Sequence, residues 1–572
     1  MPTPAITDKI TQFFTRVSSI LVFIVLADLA VRAIIRLEPR WDTFMYHLPF
    51  AALRGGLDIG YDMNDRMYLR YQSFPFLPHF IQGLLWKTTG SVNATGVINY
   101  LAFTTFLGYC HFVLKARIWL VALITLTVPL VIIHTTTSYI DLFGNSLLAI
   151  GFCSLISLYL FPDKSTKTHI YCGLLGFIGA AWSKYLLVPL VALGLLLFMT
   201  LCLFSHPQKT NLTIKKLILI ALGASFLASL PYFKNWFLYA NPFWPFRMPI
   251  LSDYFPFAES VDIQKERPIA LKGVGQFKLF IHSLLEINHP VFYNYRPRWI
   301  IDQGNAVIAF HMGGFWVGWV IFYIPCMILM LLTFDRKTGS IASVMCIGIL
   351  CVTGLLPQSN ELRYFLFIPL TCAATIGMTY PRIQQKCPRL ALLLLINMLV
   401  LWSYMLAENW VHYQPEKIDY RKVAGYWGTP QWWEKLQTDK VYCAVDMMPI
   451  GILLTGPTMR EYRIVDRSTE ALCPKGSVIL SKQGIHDAQF LLNESLRLFQ
   501  GGKYLESLEA SKKALALKPD YAEAYNNLCV AHIKLNLKQQ ALAACRQAIK
   551  LNPNLTIAIN NLAWAESLTT ND

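Results

Sequence analysis

Val17-Ser-Ser-Ile-Leu-Val-Phe-Ile-Val-Leu-Ala-Asp-Leu-Ala-Val-Arg-Ala-Ile-Ile-Arg36 sets the fold class. A helix crosses a bilayer core with about 17–25 apolar residues, and this run has that reach. Its internal charges, Asp28 and Arg32, are four apart, where a helix brings them onto one face to pair. No small-residue cleavage site follows the run, so it is expected to be a first span and not a removable leader. Comparable runs recur near 95–114, 117–135, 138–161, 169–184, 185–204, 217–236, 306–333, 341–356, 362–380 and 390–408. Together they predict an α-helical polytopic membrane protein with about eleven transmembrane helices. The stretch 169–204 is also compatible with one re-entrant unit, although its length favours two helices.

Composition agrees. Of 572 residues, 55% are hydrophobic and only 15% charged, against about 25% charged in an ordinary soluble domain. The 15 Trp and 27 Tyr suit a protein anchored at two membrane interfaces. The net charge of +16 would suggest nucleic acid in a soluble chain, but its distribution explains it otherwise. With the N-terminus inside, the inner loops hold Lys115, Arg117, Lys164, Lys167, Lys209, Lys215, Lys216, Arg336, Lys337, Arg382, Lys386 and Arg389. The short outer loops hold only Lys184 and Arg363. Cytoplasmic loops concentrate Lys and Arg in this way. Arg32, Arg36 and Arg40 run against the pattern, but they flank a long outer loop, where the rule is weak. No nucleic-acid partner is expected.

An odd number of spans places the C-terminus outside. Large outer loops then cover about 37–94 and 237–305. Residues 1–408 form the membrane domain and 409–485 a small extracytoplasmic α/β unit. Its strand candidates are Val441–Val445, Tyr462–Val465 and Ser477–Leu480. Residues 486–572 read as tetratricopeptide repeats: Ala514-Leu-Ala-Leu-Lys-Pro519 returns as Ala548-Ile-Lys-Leu-Asn-Pro553, at the 34-residue period of that repeat. Stacked helix pairs of this kind bind protein partners. Four of the 13 Cys fall in the outer tail. Cys443 with Cys473 and Cys529 with Cys545 are either disulfides of an oxidising compartment or small buried residues.

Chemistry-bearing residues gather on the outer face. Arg40-Trp-Asp-Thr-Phe-Met-Tyr-His-Leu-Pro49 opens the first large loop, and Ser138-Tyr-Ile-Asp141 opens the fourth span. Trp182-Ser-Lys-Tyr185 lies between the fifth and sixth. Pro231-Tyr-Phe-Lys-Asn-Trp236 through Asn241-Pro-Phe-Trp-Pro245 leads into the second large loop, and Glu361-Leu-Arg-Tyr364 opens the tenth span. In order and on one face, these segments resemble the GT-C superfamily of membrane glycosyltransferases, over roughly residues 15–408. Protein O-mannosyltransferases and lipid A aminoarabinose transferases belong to that superfamily. The resemblance implies a polyprenyl-phosphate sugar as donor and a hydroxyl on protein, lipid or glycan as acceptor. It also implies a second acidic residue that positions substrate near Asp141.

Each residue has a structural alternative. Asp42 suits a general base for the acceptor hydroxyl, or an N-cap for a helix beginning at Thr43. Asp141 suits substrate positioning, or a capping box with Ser138. Lys184 and Arg363 suit the donor phosphate, whose charge needs cations, or snorkelling to headgroups. Arg296 and Arg298 are further phosphate candidates, and Tyr46 and His47 candidates for holding acceptor or sugar. His47, His79 and His311 have no ligand spacing, and Asp42 lacks an Asp-x-Asp partner, so no divalent metal or other cofactor is expected. The expected activity is inverting transfer of one sugar outside the cytoplasmic membrane, with a bacterial inner membrane as the expected location. An oligosaccharide ligase or polymerase, a transporter, and a non-catalytic anchor for the repeats are the competing readings.

Overall fold

The computed structural model describes residues 4–38, 42–164, 167–204, 212–247, 254–259, 273–285, 315 and 317–410. Toward the C-terminus it describes 419–426, 433, 436–445, 447, 450–456, 458–481, 488–500, 502–553 and 555–568. The chain forms two compact units. One comprises residues 1–59 and 65–423, the other residues 60–64 and 424–572.

Helices stand at all eleven predicted span positions: α1 (Pro4–Ile35), α5 (Val97–Phe112), the pair α6 (Ile118–Thr125) and α7 (Pro129–Thr135), α8 (Asp141–Leu160), α9 (Lys167–Ala181), α10 (Val188–Phe204), α11 (Ile214–Tyr239), α13 (Val317–Leu331), α14 (Arg336–Leu355), α15 (Phe367–Lys386) and α16 (Pro388–Trp410). They are not equal. Among the described residues seven are long and apolar enough to cross a membrane, or eight if the pair α6–α7 counts as one span. Helices α5, α9 and α13 have only 15 or 16 residues. At 1.5 Å per residue they rise about 22–24 Å, short of a hydrocarbon core of about 30 Å.

The predicted straight helix over 117–135 is instead bent by 102°. Pro129 is the cause. It has no N–H to continue the α6 ladder, and it pushes Val128 into an extended conformation (φ −98°, ψ 114°). The pair still runs from one end of the bundle to the other. At its start, Arg117 Nη2 donates to Gln384 Oε1 near the end of α15 (2.5 Å). Beyond its finish, Asn145 Nδ2 donates to Tyr364 O, just before α15 begins (3.2 Å). Arg382 Nε and Lys386 Nζ both donate to Thr333 O at the Gln384 end. Arg117, Arg382 and Lys386, expected inside, therefore share one end, while Lys184 and Arg363, expected outside, share the other.

Helices α8 and α15 are the most enclosed of the described long spans. Polar side chains fix their register. The wholly buried Asn145 accepts from Phe367 N (3.0 Å) and donates to Tyr364 O and to Asp141 O. The first outer loop folds into α2 (Leu48–Gly55), α3 (Asp65–Ser73) and α4 (Leu77–Thr89), and the second carries α12 (Gln276–Leu285). Tyr185 Oη donates to Ser73 O and Trp244 O, tying this loop to the second. Glu259, in the second loop, pairs with Arg70 and with Arg66 (3.0 Å) on α3.

The second unit contains a four-stranded parallel sheet of order β1-β3-β2-β4. Strands β2 (Val441–Val445), β3 (Arg463–Arg467) and β4 (Val478–Ser481) occupy the three predicted stretches. The edge strand β1 (Tyr61–Asp62) comes from the first outer loop. It pairs Tyr61 with Ile464, and it is too short to show an alternating pattern. Tyr61 Oη donates to Asp466 (2.9 Å), and Arg467 pairs with Asp62 (2.7 Å). Helices Ala488–Gln500, Tyr504–Leu517, Ala522–Lys534, Lys538–Leu551 and Thr556–Ser567 follow as antiparallel pairs with a last single helix. Disulfides join Cys443 to Cys473 and Cys529 to Cys545.

Candidate functional site

Asp42 precedes a π-helical turn, Thr43–His47, that leads into α2. A π turn is wider than an α turn and recurs at functional positions. Although Asp42 occupies the capping position, its side chain makes no cap hydrogen bond. It accepts instead from Tyr46 Oη (3.3 Å) and lies 3.7 Å from Arg363 Nη1. The capping box expected of Ser138 and Asp141 is also absent. The first residue before α8 is Ile140, with no side-chain cap. Ser138 Oγ pairs with Thr95 Oγ1 (3.0 Å), and Asp141 pairs with Lys184.

Asp42, Asp141, Lys184 and Arg363, separated by up to 321 residues, therefore meet as one ionic cluster. The short helical turn Leu362–Phe365 carries Arg363 into it, anchored through Asn145 on α8. Glu361 joins as a second carboxylate partner of Arg363 (3.2 Å). The ring of Tyr364 lies between the two cations, with Lys184 Nζ 3.7 Å and Arg363 Cζ 4.7 Å from its centroid. Its hydroxyl accepts from Arg363 Nη2 (2.8 Å). The guanidinium also faces the ring of Tyr139 at 5.4 Å. These contacts hold Arg363 with its side chain 10% exposed. Its Nη1 nevertheless makes no hydrogen bond among the described residues. Burial draws the Lys184 ammonium below its ordinary pKa, and Asp141 opposes that shift. Neither cation is a freely snorkelling side chain.

His47 is 1% exposed and packs between Tyr46 and Tyr139. Its Nδ1 shares a 3.0 Å hydrogen bond with His79 Nε2, while its Nε2 has no partner among the described residues. The bond depends on a close crossing of α2 and α4. A Cβ on Gly83 would fall against Ala51 O and lie 2.6 Å from Gly55 N. His134, at the end of α7, is buried beside Tyr139.

Five predicted site residues are thus brought into direct contact: Asp42 with Tyr46 and Arg363, and Asp141 with Lys184. His47 packs on Tyr46. Arg296, Arg298 and His311 lie outside the described residues. His79, His134, Tyr139 and Tyr364 also build the site. The sequence places Tyr139 and Tyr364 inside quoted motifs without singling them out, and no local pattern marks His134. Among the described residues, no three His, Cys, Asp or Glu side chains converge as a metal-binding set.

The tail matches two family models, TPR repeat over residues 496–536 and Tetratricopeptide repeat over residues 522–555. No curated protein sequence matches the chain. The chain is similar to the crystal structure of ArnT from Cupriavidus metallidurans bound to undecaprenyl phosphate. Identity is 12%, with 82% of this chain and 90% of that chain covered at a TM-score of 0.48. It is similar to ArnT from the same organism in the apo state at 11% identity, the same coverage and a TM-score of 0.47. The likeness is one of fold.

Proposed function

We propose that this integral membrane protein transfers a monosaccharide from a polyprenyl-phosphate donor to an acceptor hydroxyl outside the cytoplasmic membrane. The observation that supports this best is the side chain of Asp42. It leaves its helix uncapped and faces Arg363 Nη1, a buried nitrogen with unused hydrogen-bonding capacity. A helix cap would show the opposite preference. Arg363 and Lys184 receive the donor phosphate. As the phosphate takes Arg363 Nη1, it loosens the hold of that cation on Asp42. The freed carboxylate then accepts the acceptor O–H proton as oxygen attacks the anomeric carbon. The bond from that carbon to the phosphate oxygen breaks on the opposite face. Polyprenyl phosphate leaves with the bonding pair, so the anomeric centre inverts. The leaving phosphate has a low pKa and needs cations more than a general acid. Asp141 keeps Lys184 in place, and Tyr46 orients Asp42.

The disulfides and the loop charges favour the same sidedness. Disulfides persist in oxidising compartments, which fits a bacterial inner membrane with the α/β unit and the repeats outside. The repeats then recruit a protein acceptor or assembly partner. The test is transfer from a labelled polyprenyl-phosphate sugar by purified protein in detergent, with Lys184→Ala and Arg363→Ala beside it. Loss of a charge-assisted hydrogen bond costs about 1.5–3 kcal/mol, or roughly ten- to a hundredfold. Both variants should lose donor use on that scale. Wild-type efficiency in both would remove the phosphate role.

A further inference from the structure

His47 enters the outer cluster with one ring nitrogen unspent. Its ring is wholly enclosed, yet Nε2 meets no hydrogen-bonding atom among the described residues. A buried polar atom left unmatched costs about 1–3 kcal/mol. Such a group marks a place where a ligand can complete the bonding. Its neighbours fix what that ligand is. Arg363 Nη1 is another buried atom of the cluster that makes no hydrogen bond among the described residues. The ring of Tyr139 joins His47, at 5.1 Å, to Arg363 Cζ, at 5.4 Å, and Arg363 shares the Tyr364 ring with Lys184. Two cations with an imidazole nearby, one nitrogen of which makes no hydrogen bond among the described residues, select an anionic oxygen.

We infer that His47 contacts the donor by donating from Nε2–H to a phosphate oxygen, and that His79 is the positioning residue that keeps the proton there. This rests on the donor reading above. The logic is that of a hydrogen-bonded pair: if His79 Nε2–H donates to His47 Nδ1, the His47 proton must sit on Nε2. The 3.0 Å bond between those two nitrogens is the required link. Burial, reinforced by His79, Lys184 and Arg363, holds His47 well below its ordinary 6.5, and burial lowers His79 to about 3. Both rings are therefore neutral at pH 7, and the bond between them couples their tautomers, so that a donating His79 leaves the His47 proton on Nε2. The close crossing at Gly83 and Gly55 holds the two rings in register.

Two substitutions separate the nitrogens of His47. His47→Gln retains a donor near Nε2 and gives up the Nδ1 contact. His47→Asn retains a polar atom near Nδ1 and gives up Nε2. The readout is binding of polyprenyl monophosphate to the full-length protein in detergent, which needs no acceptor. Thermal unfolding is measured in parallel. His47→Asn should weaken binding by about ten- to a hundredfold, and His47→Gln by less than about threefold. His79→Phe should weaken it by about two- to tenfold, and His79→Gln should restore it. If His47→Asn binds as wild type, or if His47→Gln is the weaker of the two, the His47 bond is structural and the inference is overturned while the donor reading stands. If His79→Phe and His79→Gln lose binding equally, His79 does not set the proton. Failure of wild-type protein to bind the lipid phosphate would overturn the donor reading and this inference together.

Discussion

Asn145→Leu tests how the site is held open. The side chain is wholly buried and joins α8 to the turn that carries Arg363. It satisfies Tyr364 O within that turn and Phe367 N just beyond it. Leucine fills a similar volume but leaves both backbone groups unmatched. In a water-soluble core, two stranded groups would cost about 1–3 kcal/mol each. Between membrane helices, measured interhelical hydrogen bonds average only about 0.6 kcal/mol and reach about 1.7, because the unfolded chain in lipid also finds partners. The membrane figure is the relevant one, so two bonds give roughly 1–3 kcal/mol. Unfolding by SDS titration should show that loss. Donor binding should fall more steeply than stability alone explains, because the turn Leu362–Phe365 loses the side chain that ties it to α8. A variant within about 0.5 kcal/mol of wild type, with unchanged donor binding, would refute the claim that Asn145 positions Arg363.

Gly83→Ala forces α2 and α4 apart, since its Cβ meets backbone that cannot yield. It should cost about 1–3 kcal/mol in thermal or SDS unfolding and weaken donor binding through the His47–His79 pair; wild-type behaviour in both assays would contradict the crossing. Glu259 is held below its ordinary 4.5 because the hydrogen bonds and charges of Arg70 and Arg66 outweigh the opposing effect of burial. Its contribution to stability is therefore full above that pH and lost as pH falls through the folded value. Glu259→Gln should narrow its deficit against wild type on acidification from pH 7 to 3, and a pH-independent difference would refute the pairing. A periplasm-active reporter fused after Asp572 should work in a bacterial host, and one that fluoresces only in the cytoplasm should stay dark; the reverse pattern would overturn the outside placement of the tail.

The membrane fold was legible because hydropathy and loop charge act over whole helices. Eleven apolar runs and the Lys and Arg bias located the helices and paired their ends. The break at Pro129 was written in the sequence as well, as a proline inside an apolar run, but composition alone could not tell a kink from a straight crossing. The repeats were legible from their 34-residue period. Strand β1 was not, because a two-residue edge strand draws its hydrogen bonds from a segment about 400 residues away. The site was half legible. Lys184 and Arg363 stood out because short outer loops rarely carry basic residues, and Asp42 because it opens a Tyr-His-x-Pro stretch just past the first span. The local patterns at Asp42 and Ser138-x-x-Asp141 suggested caps, and the folded chain uses those side chains for long-range pairs instead. His79 was weighed only as a metal ligand and His134 not at all, because their places in the fold depend on helix crossings that no local pattern records. Arg296 and Arg298 remain expectations from the sequence, outside the described residues.

The central claim is that Asp42 is the base, and Asp42→Asn addresses it most directly. The amide keeps the shape of the side chain and can still accept from Tyr46, but it cannot take a proton from the acceptor. Proton transfer of this kind contributes about 10²–10⁴-fold. With the labelled donor and its acceptor, Asp42→Asn should fold normally, retain lipid-phosphate binding and lose at least about a hundredfold in turnover. Wild-type turnover by Asp42→Asn would contradict it, and Asp141 would be the next carboxylate to test.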